Sequence, residues 1–154
     1  MREWVRRYIE QARACHDAIQ GLSPVELTAH PVAGAWSIQQ IVFHLMDSDL
    51  IGSDRMKRVI AEDRPQLIAY DESAFARSLF YQELAPQPAA DLFCRNRLLT
   101  AEILHRLPDL AFDRVGVHSE RGEMTLGTLL QVYVEHVEHH LKFVRQKRAL
   151  LGKP

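Results

Sequence analysis

Three of the chain's eight histidines fall within five positions, in the run YVEHVEHHLKFV that spans residues 133–144. Side chains four apart stack on one face of a helix, so His136 and His140 can reach a common ion while the backbone stays helical. Their directions follow from about 100° of turn per residue. With Tyr133 as zero, Leu126, Leu129, Val137 and Val144 fall within roughly 40° and define an apolar stripe. His140 lies about 20° from that reference and His136 about 60°, whereas His139 lies about 120° away on the flank. A third inward imidazole is available from an earlier segment, where His44 lies about 60° from Ile41 on the side of Ser48. Three neutral nitrogen ligands suit zinc, nickel, copper or iron(II), with zinc and nickel the first choices here. Three protein ligands also leave coordination positions open, as catalytic sites do and structural sites do not.

Other metal signatures fit less well. A zinc-peptidase helix needs H-E-x-x-H, but Val137 stands where the acid should be and the nearest acid is Glu138. A carboxylate-rich binuclear bundle needs two Glu-x-x-His pairs, and only Glu102 with His105 has that spacing. His16, His30, His105 and His118 are read as solvated, and His139 as exposed or supporting a ligand. Asp47, Asp49, Asp71, Glu72 and Glu123 are the acids that could assist a reaction, each expected on the surface or in a cap, so no catalytic residue is assigned. Cys15 and Cys94 are too few for a disulfide framework and too far apart for a zinc knuckle, and are expected to be reduced, packed thiols.

The elements that must hold these histidines are helices. Trp4, Tyr8, Ala12, Cys15 and Ile19 recur at steps of three and four over residues 3–20. Ser23, Pro24 and Glu26 form a capping box at the start of a short turn, and Ser37 with Gln40 forms another. From there Ile38, Ile41, Leu45, Ser48, Met56 and Val59 share a face, which predicts a second long helix to about Glu62. Pro65, Pro86 and Pro88 bracket a connection with irregular ends and a helical piece in DESAFARSLFYQEL. Tyr70 and Tyr81 in this connection are expected to cover the pocket. Leu92, Leu99, Ile103 and Leu107 predict a third helix closed by Pro108, with Asn96 a hydrogen-bonded polar residue on the stripe. Gly116 and Gly122 punctuate a loop, and Thr125 caps a fourth helix that runs to Gly152. No segment alternates like a half-buried strand. The expectation is an all-α four-helix bundle, one domain over residues 1–154, ordered up-down-down-up because helices two and three are joined by a long crossover.

Composition limits the partners. Nineteen basic and twenty acidic residues give a formal charge of -1, which argues against a nucleic-acid backbone as ligand. No apolar run is long enough to cross a bilayer, and the start MREWVRRYIE lacks a signal-peptide core, so a cytoplasmic protein is expected. The basic run Lys142, Arg145, Lys147 and Arg148 is what a helix C-terminus favours without any docking role.

The runs AWSIQQIVFHLMDSD, AYDE and EMTLGTLLQVYVEHVEHHLKF, in that order, resemble the DinB-like superfamily over nearly the whole chain. The resemblance implies an up-down-down-up four-helix bundle, commonly a homodimer. It also implies a metal site made of one histidine after the W-S motif and a His-x-x-x-His pair, here His44, His136 and His140. Members are known as metal-dependent hydrolases and others resemble thiol transferases. The implied substrate is a small molecule, with a low-molecular-weight thiol as one candidate. Both chemistries follow from one effect, since a bound cation lowers the pKa of a coordinated thiol or water. The rival reading is a noncatalytic module that sequesters metal or forms a dimer.

Overall fold

The computed structural model describes residues 1–154. The first bundle helix is α1 (Arg2–Glu10) continued through a single 3₁₀ turn at Gln11–Arg13 into α2 (Ala14–Ile19). Tyr8, Ala12, Cys15 and Ile19 of its predicted stripe are buried, and Trp4 is half-buried. α3 (Pro24–Thr28) and α4 (Ile38–Ala61) both begin with the expected capping boxes, in which the hydroxyls of Ser23 and Ser37 accept from the backbone N–H groups of Glu26 and Gln40. α5 (Glu72–Ser78) is capped by Asp71 and occupies only the first half of the helical piece foreseen in the crossover. α6 (Pro86–His105) and α7 (Leu126–Leu150) complete the bundle.

Chain directions follow from contacts at the two ends. Met1 lies against Gly127, and Arg148 donates to the Ala18 carbonyl, so the first helix and α7 run parallel. His44 packs on His140 while Arg55 donates to Tyr133, so α4 runs against α7. Arg97 donates to the Tyr8 carbonyl and His16 meets Asp91, so α6 runs against the first helix. The order is therefore up-down-down-up, with residues 62–85 forming the crossover.

Two expectations fail in the third helix. Pro86 and Pro88 lie inside its first turn, where backbone N–H groups have no intrahelical partner to lose. The leucine stripe is also misplaced, because Leu92 and Leu99 are exposed and Ile103 and Leu107 only half-buried. The buried face is made of Ala89, Ala90, Phe93, Arg97, Thr100, Ala101 and Leu104. Small alanines let neighbouring helices approach closely, and a buried arginine carries no hydrophobic signal.

Arg97 belongs to a polar layer that divides the core. One apolar cluster includes Cys15, Ile38, Leu45, Phe93 and Val137, and the other includes Val5, Met56, Leu104, Leu130 and Val134. Between them Arg97 donates to Asp49 at 2.8 Å, to the carbonyls of Tyr8 and Tyr133, and to Gln11. Asn96 donates to the other Asp49 oxygen at 2.7 Å, and the Tyr8 hydroxyl also donates to Asp49. Every oxygen of the buried carboxylate is thereby engaged, as a charge in this setting requires. Asp49 is thus a structural ion-pair partner and not a surface acid.

A small sheet, which the sequence did not reveal, closes one end. β1 (Gln66–Leu67) pairs in parallel with β2 (Val115–His118), which pairs antiparallel with β3 (Gly122–Thr125). The inward positions of β2 are Gly116 and His118, so the strand has no apolar alternation to detect. A Cβ on Gly116 would lie 2.8 Å from both Leu67 and Val59, so glycine is what lets the sheet sit against α4.

Candidate metal centre

α4 and α7 face one another antiparallel, and this pairing brings His44, His136 and His140 together from residues far apart in sequence. One nitrogen from each imidazole lies within 4.8 Å of the other two, the convergence that the helical angles predict. The His44 and His136 Nε2 atoms are 3.0 Å apart. Two ligands about 2.0–2.1 Å from a shared ion stand about 3.0 Å apart at a right angle and about 3.4 Å apart in a tetrahedron, so the pair already has ligand spacing. The His140 Nδ1 is buried without a hydrogen-bond partner, an orphaned polar atom in a chain that otherwise leaves few. The residues present therefore fit a transition-metal ion. Trp36 covers the cluster, with its ring centroid 4.9 Å from that of His44 and 6.4 Å from that of His140.

Burial pushes His44 and His136 down to about 3, with the neighbouring His140 adding to the effect, and pushes His140 down to about 4 with help from His139. All three rings are neutral at neutral pH, the form that ligates metal. His139 is exposed and stacks edge-on against Phe143, outside the cluster, as its angle predicts.

The crossover contributes an acid. Asp71 caps α5 and so fixes the next residue, Glu72, with its carboxylate 3.5 Å from His44 Nε2. Glu72, one of the candidate acids expected on the surface or in a cap, is exposed and borders the imidazoles without being one of the clustered ligands. The remaining acids lie elsewhere. Glu123 pairs with Arg64 at the surface, and Asp47 accepts from the Tyr81 hydroxyl. Burial raises the Asp47 carboxyl above its usual range, opposed by that hydrogen bond.

A cleft of about 110 Å³ opens beside the cluster, bounded by Ser48, Tyr70, Glu72, Tyr133 and His136, and farther along by Arg55, His118 and Arg121. Tyr70 covers it as foreseen. Tyr81 does not, being buried and stacked on Phe43. His118 is a second departure, since it is buried in β2 instead of solvated, with Nδ1 accepting from the Glu120 backbone. His16 is also drawn in, paired with Asp91 at 2.7 Å, whereas His30 and His105 are exposed. Lys147 and Arg148, read as cations that a helix C-terminus favours, turn inward: Lys147 is buried and Arg148 closes the carbonyls of Ala18 and Gln20. Both cysteines are free, with Cys15 buried and Cys94 half-buried.

A four-helix up-down-down-up bundle that presents three inward histidines beside an open cleft defines a class of metal-site proteins. The chain belongs to the DinB superfamily, whose family model matches residues 7–144. A relative from Geobacillus kaustophilus is 27% identical over 153 residues, covering 99% of this chain and 86% of its own length. YfiT from Bacillus subtilis is 25% identical over 151 residues, covering 97% and 85%. Both carry the name "Putative metal-dependent hydrolase". The solved YfiT structure, described as "a probable metal-dependent hydrolase with an unusual four-helix bundle topology", superimposes with a TM-score of 0.92 at 24% identity, over 99% of this chain and 87% of that one. A DinB-like protein from the same bacterium matches with a TM-score of 0.69 at 18% identity, over 99% and 94%. No helix of the chain is long and apolar enough to cross a membrane.

Proposed function

We propose that this protein is a metal-dependent hydrolase of a small molecule, with His44, His136 and His140 holding one divalent ion, zinc or nickel. The observation that carries the reading is the convergence of three neutral imidazoles, His44 buried and His136 and His140 half-buried, with His136 lining an open cleft and a carboxylate beside His44. When bound, the ion would lower the pKa of the nucleophile it holds. The protein's own part is to orient the rings, to keep them unprotonated and to move a proton. Ser48 lies 3.4 Å from His136 Nδ1 and steadies that ring. Trp36 shields the cluster from solvent on one side. Glu72 is the group placed to accept a proton from the attacking nucleophile and return it to the leaving group.

The position of Glu72 favours hydrolysis over transfer of a thiol, because activating water requires a proton acceptor near the cluster. The test uses protein purified without a polyhistidine tag and reconstituted with zinc or nickel, assayed on a panel of small esters and amides. Turnover is expected in the wild type. In Glu72→Gln it should fall by about 10²–10⁴-fold with the metal content unchanged. Turnover only when a low-molecular-weight thiol is supplied, and insensitive to Glu72→Gln, would replace hydrolysis with thiol transfer. Metal binding with neither activity would leave a noncatalytic module.

A further inference from the structure

The cleft beside the histidines ends in a wall with a different chemistry. Arg55 is 8% exposed, yet it makes no ion pair. Its Nη1 donates to the Tyr133 hydroxyl at 2.8 Å and its Nη2 to the Ile68 carbonyl, both neutral acceptors. Its Nε is buried and has no partner at all. A guanidinium offers five N–H donors, and a buried one without a counter-ion is costly. The other deeply buried arginine, Arg97, shows the usual solution, with Asp49 seated at 2.8 Å.

Glu72 and Glu120 line the same cleft, yet both are exposed and neither forms an ion pair with Arg55. Arg121, from the turn between β2 and β3, lines the cleft as a second cation. The setting is also built for close fit. A Cβ on Gly52 would come within 2.5 Å of the Tyr133 ring, so only glycine at this place on α4 lets that ring lie flat on the helix and aim its hydroxyl at Arg55. His44, Ser48, Gly52 and Arg55 follow one another at steps of four, four and three, so one stripe of α4 runs from the imidazoles to the guanidinium.

We infer that the substrate of this site carries a carboxylate, which Arg55 and Arg121 bind at one end of the cleft while the reacting bond lies at the histidine end. This deepens the hydrolase reading and rests on it for the reacting end only. Some 16 Å of helix separate the Cα atoms of His44 and Arg55, at about 1.5 Å per residue. The carboxylate and the scissile bond are accordingly several bonds apart. An arginine fork matches the two oxygens of a carboxylate, whereas an amide of the same shape leaves it unsatisfied.

The test is binding by the metal-free protein, so that it stands whether or not the metal reading does. Hexanoate and glutarate are titrated against hexanamide, with Kd read by calorimetry and side-chain Nε–H resonances by NMR. The carboxylates should bind and shift the Arg55 Nε–H signal of the wild type, while hexanamide should bind at least tenfold more weakly. Arg55→Gln should weaken hexanoate at least tenfold with metal affinity unchanged. Arg121→Gln, a change at an exposed residue that does not threaten the fold, should weaken it about threefold or more. The proposal is overturned if neither carboxylate binds, if hexanamide binds as well as hexanoate, or if the Arg55 signal stays still. It is equally overturned if carboxylate binding appears only after metal is added and survives Arg55→Gln.

Discussion

Each imidazole of the cluster is held by helix geometry and kept neutral by burial, and the two properties can be tested separately. Replacing His44, His136 or His140 by alanine should abolish tight metal binding, whereas His139→Ala should retain most of it. Elemental analysis of the four purified variants reads this directly, and equal loss in the His139 variant would contradict the assignment. The second property governs acid stability. Below pH 6.5 the unfolded chain protonates its histidines, while the folded apoprotein keeps His44 and His136 neutral to about 3 and His140 to about 4. The unfolded state then binds more protons, so these groups make stability fall as pH drops from 6.5 toward 4, and contribute nothing above that window. Urea unfolding of the apoprotein at pH 7.5, 6.5 and 5.5 should show this decline. His136→Gln should flatten it, because one of the three differences in proton uptake is gone; an unchanged slope would show that the imidazoles titrate normally.

At the scale of elements, the pairing of α4 with α7 makes the site, and the layer around Asp49 and Arg97 fixes how the helices meet. Asp49→Ala leaves a buried guanidinium uncompensated and should cost about 3–5 kcal/mol in chemical denaturation. A loss below about 1 kcal/mol would mean that water reaches Arg97. The inward histidines were legible in the sequence because helix angle alone separates His136 and His140 from His139. The capping boxes at Ser23 and Ser37 were equally legible, each being local chemistry written in four residues. The inner face of α6 was not, because alanines, a threonine and an arginine make up most of it beside Phe93 and Leu104, while Leu92 and Leu99 point outward. β2 was missed for a related reason, its inward residues being Gly116 and His118. The position of Glu72 beside His44 depends on where a crossover of more than twenty residues returns to the bundle, which no local pattern encodes.

The whole molecule carries its apolar core on both sides of the polar layer, and neither cluster needs an ion to form. The apoprotein should therefore keep its helical circular dichroism after chelation and lose only a modest part of its thermal stability. Collapse of helicity on metal removal would make the site structural. The central claim, that three histidines hold one ion and leave it open to the cleft, is tested most directly by the visible spectrum of the cobalt-substituted protein. Titration should saturate at one equivalent of cobalt, and azide or a small thiol should then perturb the ligand-field bands as it enters an open position. Saturation at another stoichiometry, or a spectrum indifferent to both ligands, would contradict an open three-histidine centre.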